Sequence, residues 1–376
     1  MAPWQSIFAA SAACLTSAVL ANAEDVKFEV QPSRGCSSGP ARQPAMQDGL
    51  VKHEVTVPDF EAVKRVFWVQ PPAHPAAMAA GRAPAPLLLS YHGQTGEAQD
   101  FALSHNFSTL GAASGLISVF PQGMGDASGD DDQGTGWNCG SGGMDGNATC
   151  IPAGVGKSGG CYHSCRKLGK CGRCNWSTCY DDVLFARVIL AKLSQELCID
   201  LNRVYLHGES NGGMMMTHLV REMPEAFAGV SPWFGTPMLG FLLGPQMQMV
   251  TKQADFSKIA LLTLHARSDV TIPPGGGVSE DGWIFEAESS VRRLWAAIHG
   301  CQQVHMHIPT KWDGGDLAFR CHEHTACRTG RRVIGCRYNG EHGDWPNSNH
   351  GDQITLWFLL QFSRGRRAAS EEELLV

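Results

Sequence analysis

Charged side chains are scarce: they make up 18% of the 376 residues, against 43% hydrophobic ones. That balance excludes a disordered chain, which cannot bury enough apolar surface, and a coiled coil, whose outer faces need far more charge. There is no long run of Lys or Arg and the net charge is −6, so neither nucleic acid nor an anionic membrane is expected as a main partner. Beyond the first segment no apolar stretch reaches the roughly 18 residues of a membrane span. The mature chain is therefore expected to be soluble, with no membrane partner. No internal repeat is visible.

Glycine and cysteine, by contrast, are plentiful. The 43 glycines predict many tight turns, and 14 cysteines are too many for a reducing cytosol. Ile7 to Leu20 is an apolar run that ends at Ala21-Asn22-Ala23, a small-x-small cleavage pattern. Residues 1–23 are accordingly expected to be a secretory signal, although no Lys or Arg precedes the run, and the mature chain to be secreted and extracellular. Cleavage removes Cys14 and leaves 13 cysteines, so one thiol is expected to be free or paired outside the chain. Asn106, Asn147 and Asn175 head glycosylation sequons, which matter only in a eukaryotic secretory route.

Residues 24–48 read as irregular and 49–363 as one catalytic-sized domain, with 364–376 a charged, frayed tail. Strands are expected at 52–58, 64–71, 86–91, 116–120, 203–207, 261–265, 303–309 and 331–338. Helices are expected at 183–193, capped by Asp181 or Asp182, and at 212–222, 284–299 and 352–362. Pro86 to Tyr91 and Leu116 to Phe120 are continuously apolar, the habit of strands buried on both faces. Strands alternating with helices predict an α/β fold: a mostly parallel central sheet with helices on both faces. Residues 123–179, rich in Gly, Asp and Cys, read as a disulfide-rich insertion.

Gly-x-Ser-x-Gly occurs three times, where chance supplies about 0.3 in a chain of this composition. Ser37 sits in the irregular segment and Ser158 in the insertion; only Gly208-Glu209-Ser210-Asn211-Gly212 lies between a strand and a helix. A sharp turn there exposes the serine hydroxyl above the sheet, and small residues on either side relieve the crowding. Ser210 is the candidate nucleophile, and the N–H of Asn211 can face a developing oxyanion. A serine nucleophile needs a base, and the base an acid, in the chain order Ser, Asp or Glu, His. Asp269 follows the strand 261–265 at its carboxyl end, the edge where open α/β sheets carry their sites. Among the later histidines, His305 and His307 alternate in a strand, His322 and His324 lie in an expected cross-linked loop, and His350 starts the last helix. His342, in a turn directly after strand 331–338, is the favoured base. The second oxyanion donor is expected from the loop His92 to Gly96, with the N–H of Gln94 as candidate.

With these residues in place, positions 50–363 resemble the secreted feruloyl esterase and polyhydroxybutyrate depolymerase family of α/β-hydrolases. The resemblance rests on Tyr91-His92-Gly93, Phe120 to Gly123, Gly136-Trp137-Asn138, Asp181-Asp182-Val183, Arg203-Val204-Tyr205, Gly208 to Met214, His265 to Pro273, and His342 before Trp345-Pro346. It implies the α/β-hydrolase fold, with Ser210 as nucleophile, Asp269 as acid and His342 as base. Two residues, Gly343 and Asp344, separate His342 from Trp345 where the family has one, and the Cys139–Cys179 stretch is longer than in bacterial members.

Cys139, Cys150, Cys161, Cys165, Cys171, Cys174 and Cys179 crowd the insertion. Cys171-x-x-Cys174 permits zinc, but disulfides suit a secreted chain better. The insertion is expected to overhang the site. Trp137 is a candidate to stack on a substrate ring, with a buried packing role equally open, and His92 and Trp345 are further candidate substrate contacts. The expected reaction is ester hydrolysis through an acyl-enzyme, with no metal or organic cofactor. Feruloyl or acetyl esters of plant polysaccharide come first as substrates and hydroxyalkanoate oligomers second. A serine peptidase and a non-catalytic hydrolase-fold binding protein stay open as alternatives.

Overall fold

The computed structural model describes residues 29–37, 48–59, 61–72, 83–125, 134–140, 150–151, 162–170, 174, 177–241, 256–305, 319–344 and 348–365. The expected signal, Asn147, Asn175, Ser158, Cys161, Cys171, His307 and Trp345 lie outside them. The apolar runs become a ten-stranded sheet. In chain order its strands are β1 (Val51–Pro58), β2 (Ala62–Gln70), β3 (Ala85–Tyr91), β4 (Ile117–Pro121), β5 (Ile199–Glu209), β6 (Gly229–Trp233), β7 (Ala260–Ala266), β8 (Gln303–His305), β9 (Arg320–Thr325) and β10 (Val333–Tyr338).

Side by side they run β1-β2-β4-β3-β5-β6-β7-β10-β9-β8. The strands from β4 to β10 pair in parallel, and two antiparallel strands flank them on each side. This is the α/β-hydrolase fold, with β3 and β4 standing in the sheet in the reverse of their chain order. β7 is buried at every position, as a parallel strand covered on both faces must be.

Helices α1 (Ala98–Ser104), α2 (Asp182–Glu196), α3 (Asn211–Glu222), α4 (Glu288–His299) and α5 (Ser348–Leu359) cover the sheet. Phe185, Met214 and Trp295, from α2, α3 and α4, join one core cluster; Phe101 and Ile354, from α1 and α5, join the other. The two clusters are the two faces of the sheet. Asp181 caps α2, its carboxylate accepting from Leu184 N at 2.8 Å. Asp182 does not cap; it turns inward. Among the described residues no helix is long and apolar enough to cross a membrane.

Several expectations need correction. Strand β6 was not anticipated, because Pro232 sits in its middle and proline cannot donate to a ladder. His322 and His324 lie on strand β9, not in a loop: an alternation of Cys, His and Glu hides a half-buried strand between β10 and β8. Residues 284 and 285 pair with 277 and 278 in a small hairpin, and the helix starts only at Glu288. Part of the insertion is core, since Trp137 is wholly buried.

Five disulfides link described residues: Cys36–Cys198, Cys150–Cys174, Cys165–Cys179, Cys301–Cys327 and Cys321–Cys336. Cys174 is thereby committed to Cys150 and not to a zinc pair. Cys36–Cys198 closes a span of 162 residues and ties the N-terminal segment to the residue before β5. Replacing both by serine is expected to lower the unfolding free energy by about 4 kcal/mol, because so long a loop is costly to close from the unfolded chain. Urea unfolding of the double variant measures it.

Candidate active site

The carboxyl ends of β5, β7 and β10 converge on one edge, and each is followed by one of the predicted residues. Ser210 occupies the turn from β5 into α3 with φ of 52° and ψ of −120°, a conformation costly for any residue with a Cβ. The neighbours explain how the turn is tolerated. A Cβ on Gly208 would lie 2.6 Å from Gly212 O, and one on Gly212 would lie 2.2 Å from Tyr91 O. Only glycine at both positions lets β5, β3 and the start of α3 close around the serine.

Ser210 Oγ lies 2.9 Å from His342 Nε2, and His342 Nδ1 lies 2.8 Å from Asp269 Oδ2. Asp269 is held further: Oδ1 accepts from Ile272 N at 2.8 Å, and His265 Nε2 stands 3.2 Å from Oδ2. Burial pushes the Asp269 carboxyl up, but the bonds from His265 and His342, the charge of His342 and the Ile272 N–H outweigh it and bring it down to about 2. A carboxylate that stays ionised can orient the imidazole and balance its positive form. His265 was not anticipated in this role; its place four residues before an acid on a strand-to-loop exit is a signal too common to read alone.

The loops carrying Asp269 and His342 are stitched by backbone. Ser268 N donates to Gly340 O at 3.0 Å and Arg267 N to Tyr338 O at 2.9 Å. Asp344, one of the two residues between His342 and Trp345, closes the base turn by accepting from Glu341 N at 2.7 Å. Phe234, just past β6, meets the His342 ring edge-on at 5.2 Å. Its part was hidden with that of β6. His350 sits within α5, away from these bonds.

The loop after β3 lies against the nucleophile: a Cβ on Gly93 would stand 3.4 Å from Ser210 Cβ and 4.0 Å from its Oγ. The backbone of Gly93 thus lies beside the hydroxyl, and Asn211 follows Ser210 as the first residue of α3. The loop is fastened by Thr95 N donating to Thr135 O at 2.7 Å and by Thr135 Oγ1 donating to Gly96 O at 2.6 Å. The Gln94 side chain donates to Tyr162 Oη at 3.0 Å.

Two expected substrate contacts are placed elsewhere. Trp137 is fully buried, its indole N–H donating to His92 O at 2.8 Å and its ring set edge-on to Tyr91 at 4.9 Å. Asn211 grips its backbone from both sides, accepting from Trp137 N at 2.7 Å and donating to Trp137 O at 3.2 Å. Asn211 Nδ2 also lies 3.5 Å from Cys139 Sγ. His92 is 1% exposed; its Nε2 accepts from Gly123 N at 2.9 Å and its Nδ1 donates to Gly93 O at 2.7 Å. Both residues are braces between the loop after β3, the insertion and α3, with no face left for a substrate ring.

Burial lowers His92 to about 4 against the opposing pull of its bond to Gly93 O. In the unfolded chain the ring takes its proton near the ordinary value of about 6.5. The unfolded chain therefore binds more protons between these values, and stability is lost as pH falls through the window, by up to about 3 kcal/mol from this residue. His218, lowered by burial and by Arg221 to about 3, acts in the same direction. Urea midpoints should drop between pH 7 and pH 4, and drop less in His92→Gln.

No protein-family model matches the chain. Over 188 residues it is 24% identical to feruloyl esterase B of Piromyces equi, a match spanning 49% of this chain and 32% of that protein. The chain thus spans about a third of the curated relative it matches. Among solved structures it resembles an acetyl xylan esterase from Aspergillus awamori, with TM-score 0.47 and 14% identity over 82% of this chain and 98% of that one. An S-formylglutathione hydrolase from Agrobacterium tumefaciens gives TM-score 0.47 and 14% identity over 85% and 98%.

Proposed function

We propose that the protein is a secreted serine esterase that hydrolyses carboxylic esters through an acyl-enzyme, with feruloyl or acetyl esters of plant polysaccharide as substrates. The observation that carries the reading is the unbroken chain of bonds from Ser210 Oγ through His342 to Asp269, mounted on a strained strand-to-helix turn. His342 Nε2 takes the hydroxyl proton as Ser210 Oγ attacks the ester carbonyl. The backbone N–H groups of Asn211 and Gln94 receive the oxyanion, and His342 returns the proton to the leaving alcohol. A water, deprotonated by the same nitrogen, then releases the acid. Asp269 keeps the imidazole oriented and offsets its charge.

The match to a feruloyl esterase supports the acyl group, and the disulfides support an oxidising, extracellular setting. The test is initial rates on methyl ferulate, an aryl acetate and a 3-hydroxybutyrate trimer, with Ser210→Ala as the blank. Ferulate or acetate hydrolysis that vanishes in the blank upholds the reading. Turnover of the trimer alone moves the protein to polyester degradation. A folded protein silent on all three overturns the esterase.

A further inference from the structure

Behind the serine turn, on the far side of β5 from α3, lies a second cluster that the ester chemistry does not use. Glu209, His105 and His207 are all buried, and one ligand atom from each lies within 4.8 Å of the others. Hydrogen bonds select the nitrogens that face the cluster. His105 Nδ1 lies 2.7 Å from Asp352 Oδ1, and His207 Nδ1 lies 2.8 Å from Ser90 Oγ. The Nε2 atoms of both rings are buried without a hydrogen-bond partner among the described residues. His105 Nε2 stands 3.5 Å from Glu209 Oε1.

We propose that His105, His207 and Glu209 bind one divalent metal ion of the zinc type as a structural site, with Nε2 of each imidazole and a Glu209 oxygen as ligands. Two imidazoles and a carboxylate are a donor set that zinc takes. Each ring already has its other nitrogen held by a partner, and a carboxylate behind one of them is how proteins fix a ligating histidine. Asp352 is itself positioned, its second oxygen accepting from Asn106 N at 2.6 Å. Zinc–ligand bonds of about 2.0–2.2 Å set ligand atoms roughly 3.4 Å apart, so the 3.5 Å edge is already formed and the others, within 4.8 Å, must close by at most about 1.4 Å.

Asp352 and Glu209 place two carboxylates beside His105 where water is excluded, and buried charge is costly unless it is compensated. A divalent cation balances both with both imidazoles neutral. The walls are aromatic: Phe107 stacks on His105 at 4.7 Å and Trp233 meets His207 edge-on at 4.7 Å. A site so enclosed is loaded as the chain folds, so metal binding appears as folding stability. It would clamp the end of β5, one residue before Ser210, to the end of α1 and to α5.

The test uses the full protein with its disulfides intact and no activity readout. It is unfolded in denaturant with a chelator, desalted, and refolded with zinc, with cobalt(II), or with neither. The expected result is one metal ion per chain by native mass spectrometry, a melting temperature raised by about 5 °C, and visible cobalt bands without the intense charge-transfer band of a thiolate ligand. His207→Gln and His105→Gln should lose the metal. Refolded wild-type protein that retains no metal after desalting, with the same melting temperature in all three arms, overturns the site even if the variants fail to fold. Retention in both variants, or a thiolate band, assigns the metal to other residues and overturns it equally.

Discussion

Ser210→Ala is expected to lower kcat for ester hydrolysis by about 10⁵–10⁶-fold while leaving the fold intact, because a nucleophile, its base and the acid behind it act as one unit. The turn that carries residue 210 has φ of 52°, and Ala bears the same Cβ as Ser, so the backbone strain is unchanged. Only the oxygen 2.9 Å from His342 Nε2 is removed. The same logic predicts strong non-additivity. His342→Ala alone should cost nearly as much, and adding it to Ser210→Ala should cost little more, since the base has no proton left to take. The residue of activity, about 10³–10⁴ above the uncatalysed rate, should come from the oxyanion donors and binding. Single-turnover rates on one ester with the three variants measure it; an additive double variant would mean that Ser210 and His342 work in different steps.

Asp182→Ala should be the most destabilising single change outside the site, by about 3–5 kcal/mol, because it leaves a buried guanidinium without its counter-charge. Asp182 Oδ1 lies 2.6 Å from an Arg65 nitrogen, and both side chains are almost wholly enclosed, at 0% and 1% exposure. Burial raises the Asp182 carboxyl, and Arg65 only partly opposes it. The pair is also a junction. Asp182 Oδ2 accepts from Asn138 N at 2.7 Å, while Arg65 donates to Gln122 O at 3.3 Å and lies 4.0 Å over the Phe185 ring. Gln122 and Asn138 flank Gly123 and Trp137, the partners of His92, so the loss reaches the oxyanion loop. Activity of whatever remains folded should fall as well. Arg65→Met with Asp182→Leu removes both charges and should recover more than half of the stability, as apolar pairs of similar volume often do. Urea unfolding of the two variants decides it, and a double variant no better than Asp182→Ala would show the cost to lie in the lost Asn138 bond.

The order of apolar runs was enough to read an α/β sheet with the site at its carboxyl edge, because strands buried on both faces must be continuously apolar. That Ser210, Asp269 and His342 meet was an expectation with a related basis: each lies within a few residues of the carboxyl end of such a run. The strand with Pro232 and the strand with His322 and His324 were not legible, since one breaks the hydrophobic pattern and the other alternates His, Glu and Cys in a way the pattern barely marks. Aromatic and imidazole side chains were misplaced where composition says nothing of direction. Trp137 and His92 carry the groups a substrate pocket needs, and local sequence cannot say whether those groups face solvent or the interior.

What the sequence by itself determined, then, is the periodic and the covalently adjacent: the strands, the serine turn with its two glycines, and the cysteine wealth. Only the tertiary structure decided which distant groups meet. It brought His342 across 132 residues to Ser210, paired Arg65 with Asp182, turned Trp137 inward, and gathered His105, His207 and Asp352 behind the turn. The physical reason is that a buried polar group must find its partner wherever the packed sheet places one, and that placement depends on strand order and crossing, which no local pattern encodes.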